Sequence, residues 1–159
     1  MPIGLSGFLS KDAIIEGAFA VQNSVGHFGF WMLIVAALFT SFYSWRLIFL
    51  TFFGQFRGPQ ENFEAAKESP KTMLIPLFLL SVGAILSGVV FYSIFVGSEA
   101  KYFFENAIFQ AMDNEVLYEF HYVYWWVKLM PFSVMCIGLA LAYYFYLIAP
   151  KFPRIIAKQ

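Results

Sequence analysis

The sequence predicts an all-α, polytopic membrane protein with about four transmembrane helices, and three observations predict it. Of 159 residues, 60% are hydrophobic and only 13% charged, against about a quarter charged in soluble domains. Long apolar runs recur: 28–53 holds one charge, Arg46, and 72–97 holds none, where about 20 apolar residues cross the hydrocarbon. Lysine and arginine segregate to alternate connections, as in membrane proteins of fixed orientation. The 21 phenylalanines exceed what a chain of this length hides in its own core, so many meet lipid or neighbouring subunits. The chain reads as a single membrane domain over 1–159.

The first span covers about 1–22. It opens with Pro2, Gly4 and Gly7, which remove a backbone donor or weaken a helix, so a helix discontinuous between Pro2 and Ser10 is expected. Ser10 is then the expected cap of a helix from Lys11 toward Ala20, with Asp12 in its first turn. A polar turn follows over 22–27, then a long second span over 28–53. The loop 54–71 contains Arg57-Gly58-Pro59 and Glu68-Ser69-Pro70. The third span, 72–97, carries Pro76 near its start and a small-residue face of Gly83, Ala84, Ser87 and Gly88, suited to close helix packing. In the acidic connection 98–122, Tyr102, Phe103, Phe104, Ile108 and Phe109 read as an interfacial amphipathic helix. The last span, 123–149, is flanked by Tyr124, Trp125 and Trp126 at one end and Tyr143, Tyr144 and Tyr146 at the other.

Orientation follows from the cations. Arg57, Lys67 and Lys71 lie in one loop and Lys151, Arg154 and Lys158 in the tail, while 98–122 has only Lys101. Two spans separate the basic segments, so both face inward, with the C-terminus on the cytoplasmic or matrix-type side. Met1 then lies inward and 22–27 outward. The N-terminus lacks the charge pattern of a signal peptide. Zero formal net charge gives no reason to expect nucleic acid, and the single Cys136 provides neither a disulfide nor a redox pair.

The chemistry concentrates in Lys11, Asp12 and Glu16, three charges in an apolar stretch. An ionisable group at membrane depth costs several kcal/mol or more and faces other helices or water. For Lys11 two readings stand: a proton-carrying amine, neutral when desolvated and charged when water or a partner reaches it, or a lysine that snorkels or fixes a helix break. Asp12 and Glu16 are four apart and share a helix face, either as a coupled acid pair or as a face open to water, whereas Lys11 and Asp12 do not face each other. Arg46 lies about 10 Å before the inner end of its span and reads as a structural ion pair; Lys128 reads as an interfacial anchor. His27, in the outer turn, is a candidate proton-accessible group. His27 and His121 have no companion ligands at metal spacing, so no metal site is expected. No nucleophilic triad or nucleotide-binding glycine loop is present, and no catalytic site is expected in this chain alone.

Gly7-Phe8-Leu9-Ser10-Lys11-Asp12-Ala13-Ile14-Ile15 resembles the G-F-x-S-K-D-x-I motif of the antiporter-like membrane subunit, called subunit L or chain 5, of proton-pumping NADH:quinone oxidoreductase, respiratory complex I. A second block, Thr40-Ser41-Phe42-Tyr43-Ser44-Trp45-Arg46-Leu47-Ile48-Phe49-Leu50-Thr51-Phe52-Phe53-Gly54, is similar to the family's next helix. Glu68-Ser69-Pro70 and Trp126-Val127-Lys128-Leu129 agree more weakly. The resemblance implies that Lys11 is the ionisable residue of a second half-channel and that Asp12 pairs locally or lines the exit. It also implies that NADH and quinone act elsewhere in the complex, so no cofactor is expected here. Family members carry further spans upstream, with the first inverted repeat, and a lateral helix and last span downstream. The chain is thus expected to be a C-terminal-half piece, from a split gene, a truncation or a partial sequence.

The function expected is a share in proton translocation within an energy-transducing membrane, the bacterial plasma membrane or an organellar inner membrane. The expected partners are other membrane subunits, including a chain supplying upstream helices, and lipid. The alternatives are a structural scaffold that moves no protons and a fragment of a cation/proton antiporter, which differ in whether Lys11 is wetted and in the coupling ion.

Overall fold

The computed structural model describes residues 5–54, 56, 58–105, 107–108, 116, 122–150 and 153. These residues form helices and connections, with no strand among them. The helices are α1 (Ser6–Ala20), α2 (Ser24–Phe52), α3 (Gln60–Glu64), α4 (Lys71–Phe95), α5 (Ala100–Phe104) and α6 (Trp125–Tyr143). A π-helical turn, Tyr144–Ile148, prolongs α6. Contacts gather in two compact units, one from 1–21 and 66–123 and the other from 22–65 and 124–159.

Three helices are long and apolar enough to cross a membrane: 24–52, 71–95 and 125–148. The expected spans were 28–53, 72–97 and 123–149, and the helix ends differ from those bounds by four residues or fewer. The first expected span differs. Its described part is α1, a single helix of 15 residues, about 22 Å long at helical rise. The helix starts at Ser6 and runs through Ser10 without interruption. Ser10 is therefore not a cap: its hydroxyl donates back to the Gly7 carbonyl at 3.3 Å. Asp12 accordingly lies in the second turn. Gly7 weakens a helix but breaks none of its hydrogen bonds, and the N–H groups of Phe8 and Leu9 both reach the Leu5 carbonyl. Pro2 and Gly4 lie outside the described residues.

The turn after α1 is shorter than expected. Val21 leaves the helix with ψ 93°, and Asn23 caps α2 by accepting from the Gly26 N–H at 2.7 Å. His27 therefore belongs to α2, its N–H donating to the Asn23 carbonyl at 3.1 Å. Replacing a side-chain cap costs about 1 kcal/mol. An Asn23→Ala chain is expected to fray the first turn of α2, read as faster hydrogen exchange at Gly26 and His27 with the helix centre unchanged.

In the first unit α1 packs on α4. The Ser6 hydroxyl donates to the Ala84 carbonyl at a long 3.5 Å, and Gly88 is the buried residue of α4. The expected small-residue face is thus only partly the packing face. A Cβ at Gly83 would meet nothing within 4 Å, because Gly83 lies well round the helix from Gly88. Phe103 and Phe104 of α5 pack on Phe95 at the end of α4, with ring centroids 5.0 and 6.1 Å away. This short helix replaces the longer interfacial helix expected, and Glu105 ends it with φ 40°. Phe109 lies outside the described residues.

In the second unit α2 and α6 run side by side in the same direction. Phe30 meets Trp126, Ser41 meets Met135, and Phe42 meets Phe145. Each helix buries one stripe at three- and four-residue spacing: Phe30, Ile34, Ala37 and Ser41 on α2, and Val127, Pro131, Gly138 and Ala142 on α6. The hydroxyls of Thr40 and Ser133 return to carbonyls of their own helices, as hydroxyls in apolar helices do. Ser41 is different: its hydroxyl crosses to the Met135 carbonyl at 2.7 Å. Opposite it, a Cβ at Gly138 would lie 2.7 Å from Ser41 Cβ and 2.9 Å from the Leu38 carbonyl oxygen. Only glycine permits that approach.

Candidate functional site

The candidate site is the surface of α1. Lys11 and Ile15 are one helical turn apart and share a face, and Ile15 is 1% exposed. Asp12, Glu16 and Ala20, also four apart, form the adjacent face, and Ala20 is buried. Lys11, Asp12 and Glu16 are all half-buried. At 3.6 residues per turn Glu16 lies about 140° round the helix from Lys11. The sequence pattern put the three charges together in one stretch; the helix distributes them over two faces.

The acidic face meets α4. Ala84, Gly88 and Tyr92 recur every four residues along α4, the repeat that keeps side chains on one side of a helix. Tyr92 on that side is half-buried.

Tyr92 continues the side of α4 that holds Ala84 and Gly88, and sequence reading did not single it out. Its signal was available: Ala84 and Gly88 were noted as small, and the same four-residue step leads to Tyr92. Phenylalanines and tyrosines are so common in this chain that one more aromatic in a span carried no weight.

The other candidates fall in the second unit. Arg46 was expected in an ion pair; the contact found is with a ring, its guanidinium carbon lying 5.7 Å from the centroid of Tyr146. That is cation–π distance, and it suits an exposed arginine on an apolar helix. Lys128 is exposed in the first turn of α6 beside the belt of Tyr124, Trp125 and Trp126, the setting of an anchor. His27 is exposed in the first turn of α2. Among the described residues no group of three His, Cys, Asp or Glu side chains is placed to hold a metal ion; His121 lies outside them. Cys136 is exposed and free.

Comparison with known proteins bears on most of the chain. Residues 43–106 match the family model described as NADH dehydrogenase subunit 5 C-terminus. The chain is 37% identical to NADH-quinone oxidoreductase subunit L of Rhodobacter capsulatus, over 92% of this chain and 28% of that protein. It is 36% identical to NADH-ubiquinone oxidoreductase chain 5 of Phytophthora infestans, over 93% of this chain and 22% of that protein. With subunit L of Rickettsia conorii the identity is 34%, over 89% of this chain and 21% of that protein. The chain thus spans about a quarter of the length of the curated relatives it matches. By sequence, the chain belongs with the subunit L and chain 5 family of NADH:quinone oxidoreductases.

Proposed function

We propose that the chain is part of the proton-translocating, antiporter-like membrane subunit of an NADH:quinone oxidoreductase, and that Lys11 supplies the intramembrane amine of its proton path. The observation that carries this reading is the block from Gly7 to Ile15. It matches the family motif residue by residue and lies on α1 with Lys11 half-buried. Lys11 shares its face with the nearly inaccessible Ile15, which suits an amine kept from lipid. Burial there disfavours the charged form, and water or an acidic neighbour restores it; that alternation lets one group accept and release a proton. Asp12 and Glu16 supply acceptors on the adjoining face, and His27 is an exposed group at the start of the next helix. Electron transfer from NADH to quinone takes place on other subunits, so this chain carries no cofactor.

The partners follow from the exposed surface. Of α4 only Gly88 is buried, and apolar residues cover the rest, so lipid and other membrane subunits surround it. The membrane is an energy-transducing one, with the chain's C-terminus on the cytoplasmic or matrix-type side.

The test is Lys11→Met in the assembled complex. The expected result is retained NADH oxidation with fewer protons moved per electron pair, measured by acidification in sealed vesicles. Unchanged stoichiometry removes Lys11 from the path and leaves the scaffold reading. That second reading draws on the α2–α6 contact, whose close approach at Gly138 is a packing device with no ionisable group in it. Sodium dependence of the same flux would point instead to cation/proton exchange.

A further inference from the structure

We propose that Arg46, held by the Tyr146 ring, is a docking site for the phosphate of an anionic phospholipid, in the leaflet that meets the C-terminal ends of α2 and α6. The inference draws on the second unit alone and stands apart from the proton path.

Arg46 is an exposed cation on a helix of membrane-spanning length. Among the described residues its neighbour is a ring rather than a carboxylate: the guanidinium carbon lies 5.7 Å from the centroid of Tyr146. A ring face attracts the charge without accepting along the N–H bonds, so the fork of donors stays open. A charge that faces hydrocarbon in that state is costly, and it is retained where an anion or water reaches it.

Helix length sets the depth of this charge. The 29 residues of α2 measure about 43 Å at helical rise, against a hydrocarbon core of about 30 Å, so a centred helix overhangs by about 7 Å at each end. Arg46 precedes Phe52 by six residues, or about 9 Å, and its Cα falls about 2 Å inside the hydrocarbon edge. From there a long side chain reaches the headgroups. The aromatic residues agree with that depth. Tyr143 and Tyr144 are exposed at the same end, and Trp45 stacks on Phe49 at 5.7 Å, the composition of an interfacial belt. Tyr43 and Leu50, about one turn before and after Arg46 on α2, are exposed and offer an acyl chain an apolar surface beside the charge.

The chemistry selects an anionic phosphate. A guanidinium fork matches two phosphate oxygens at once. The Tyr146 ring, itself 6.0 Å from Phe42, restrains the guanidinium from one side, so less freedom is lost when a phosphate binds. In a choline headgroup the lipid's own ammonium competes for its phosphate; in phosphatidylglycerol nothing does. Lys151 and Arg154 follow Tyr146 within eight residues in the sequence and add positive potential that draws anionic lipid to this end.

The test is lipid selectivity. The full chain is reconstituted in phosphatidylcholine vesicles containing a trace of nitroxide-labelled phosphatidylglycerol or phosphatidylcholine, and electron spin resonance gives the share of each label held at the protein. At 1 M sodium chloride the Debye length is about 3 Å, which screens the loop and tail cations and leaves direct contacts. We expect the parent chain to retain a phosphatidylglycerol preference of about two- to fivefold there, the range of exposed ion pairs. Arg46→Gln should abolish it, Tyr146→Leu should weaken it, and Tyr146→Phe, which keeps the ring, should preserve it. An equal preference in the parent and Arg46→Gln overturns the proposal and leaves the guanidinium to a carboxylate of a neighbouring subunit. Displacement of the labelled lipid by inorganic phosphate would make the ligand a free phosphate and overturns it too. Circular dichroism checks the helices of each variant; should Arg46→Gln unfold, Tyr146→Leu decides, and an undiminished preference in that variant overturns the proposal.

Discussion

A Gly138→Leu chain is expected to lose the pairing of α2 with α6. Even a methyl group at Gly138 would sit 2.7 Å from Ser41 Cβ, 2.8 Å from its hydroxyl and 2.9 Å from the Leu38 carbonyl oxygen. The first two contacts belong to a side chain fixed by its own hydrogen bond to Met135, and the third is backbone, so none yields easily. Overpacking of this kind costs about 1–3 kcal/mol, and a leucine, which must displace the whole helix, belongs at the upper end or beyond. Denaturation of the reconstituted chain in mixed micelles should show the midpoint falling steeply for Gly138→Leu and less for Gly138→Ala. Adding Ser41→Gly should recover part of the Gly138→Ala loss and no more, because the Leu38 carbonyl remains. An unchanged midpoint in Gly138→Leu would mean that the helices do not meet here.

The second large effect is expected from Phe30→Ala. Phe30 is 0% exposed. Its ring stands edge-on to Trp31 at 5.3 Å and to Trp126 at 6.3 Å, and Val127, also 0% exposed, lies beside Trp126 on α6. Between helices in lipid the transfer term is weak, since acyl chains are as apolar as side chains. What Phe30 provides is contact: dispersion with the atoms around it and about 0.5–1.5 kcal/mol for each well-placed ring pair. Truncation leaves a cavity, and a loss of about 3 kcal/mol is expected. Phe30→Leu, which fills most of the space, should lose far less. The same denaturation assay reads both, with tryptophan fluorescence of Trp126 reporting the site. Equal midpoints for the alanine and leucine chains would show that no cavity forms.

These two positions also show what sequence could and could not disclose. The long spans were readable because a run of apolar residues has no other stable fate, and α2, α4 and α6 fall where the runs fall. Their packing faces were not readable in the same way. In a soluble helix polar residues mark the outside; here α2 is apolar all round, so Phe30 and the exposed Phe28 and Phe39 look alike in the sequence. Only small residues break the degeneracy. Ala37, Ser41, Gly138 and Ala142 do so on α2 and α6, and of the four small residues singled out on α4, Gly88 proved buried. The start of α1 was misread for a related reason. Glycine and serine near Lys11 resemble a break, yet a helix tolerates both when each N–H finds its carbonyl, as those of Phe8 and Leu9 do. Asn23 carried a plain capping signal that the polar run 22–27 obscured.

The candidate site was legible at Lys11, Asp12 and Glu16 because charge in an apolar stretch is conspicuous. Their division between two faces needed only the helical repeat once α1 was known to be continuous. Tyr92 needed the neighbour: nothing within 71–95 singles it out until Ser6 and Ala84 set the register. Arg46 was legible as a charge that needs a partner, but the partner came from a departure in α6 that residue type does not announce.

That departure has a consequence for phase. In the wide turn at Tyr144–Ile148 the Ala149 N–H reaches the Tyr144 carbonyl, five residues back, at 2.8 Å. Such a turn accommodates one residue more than a regular coil, and every side chain beyond it is rotated by about 100° from where uniform winding would put it. Tyr146, the ring over the Arg46 guanidinium, lies within this turn, so the arginine's companion takes its direction from the wide winding rather than from the regular repeat of α6.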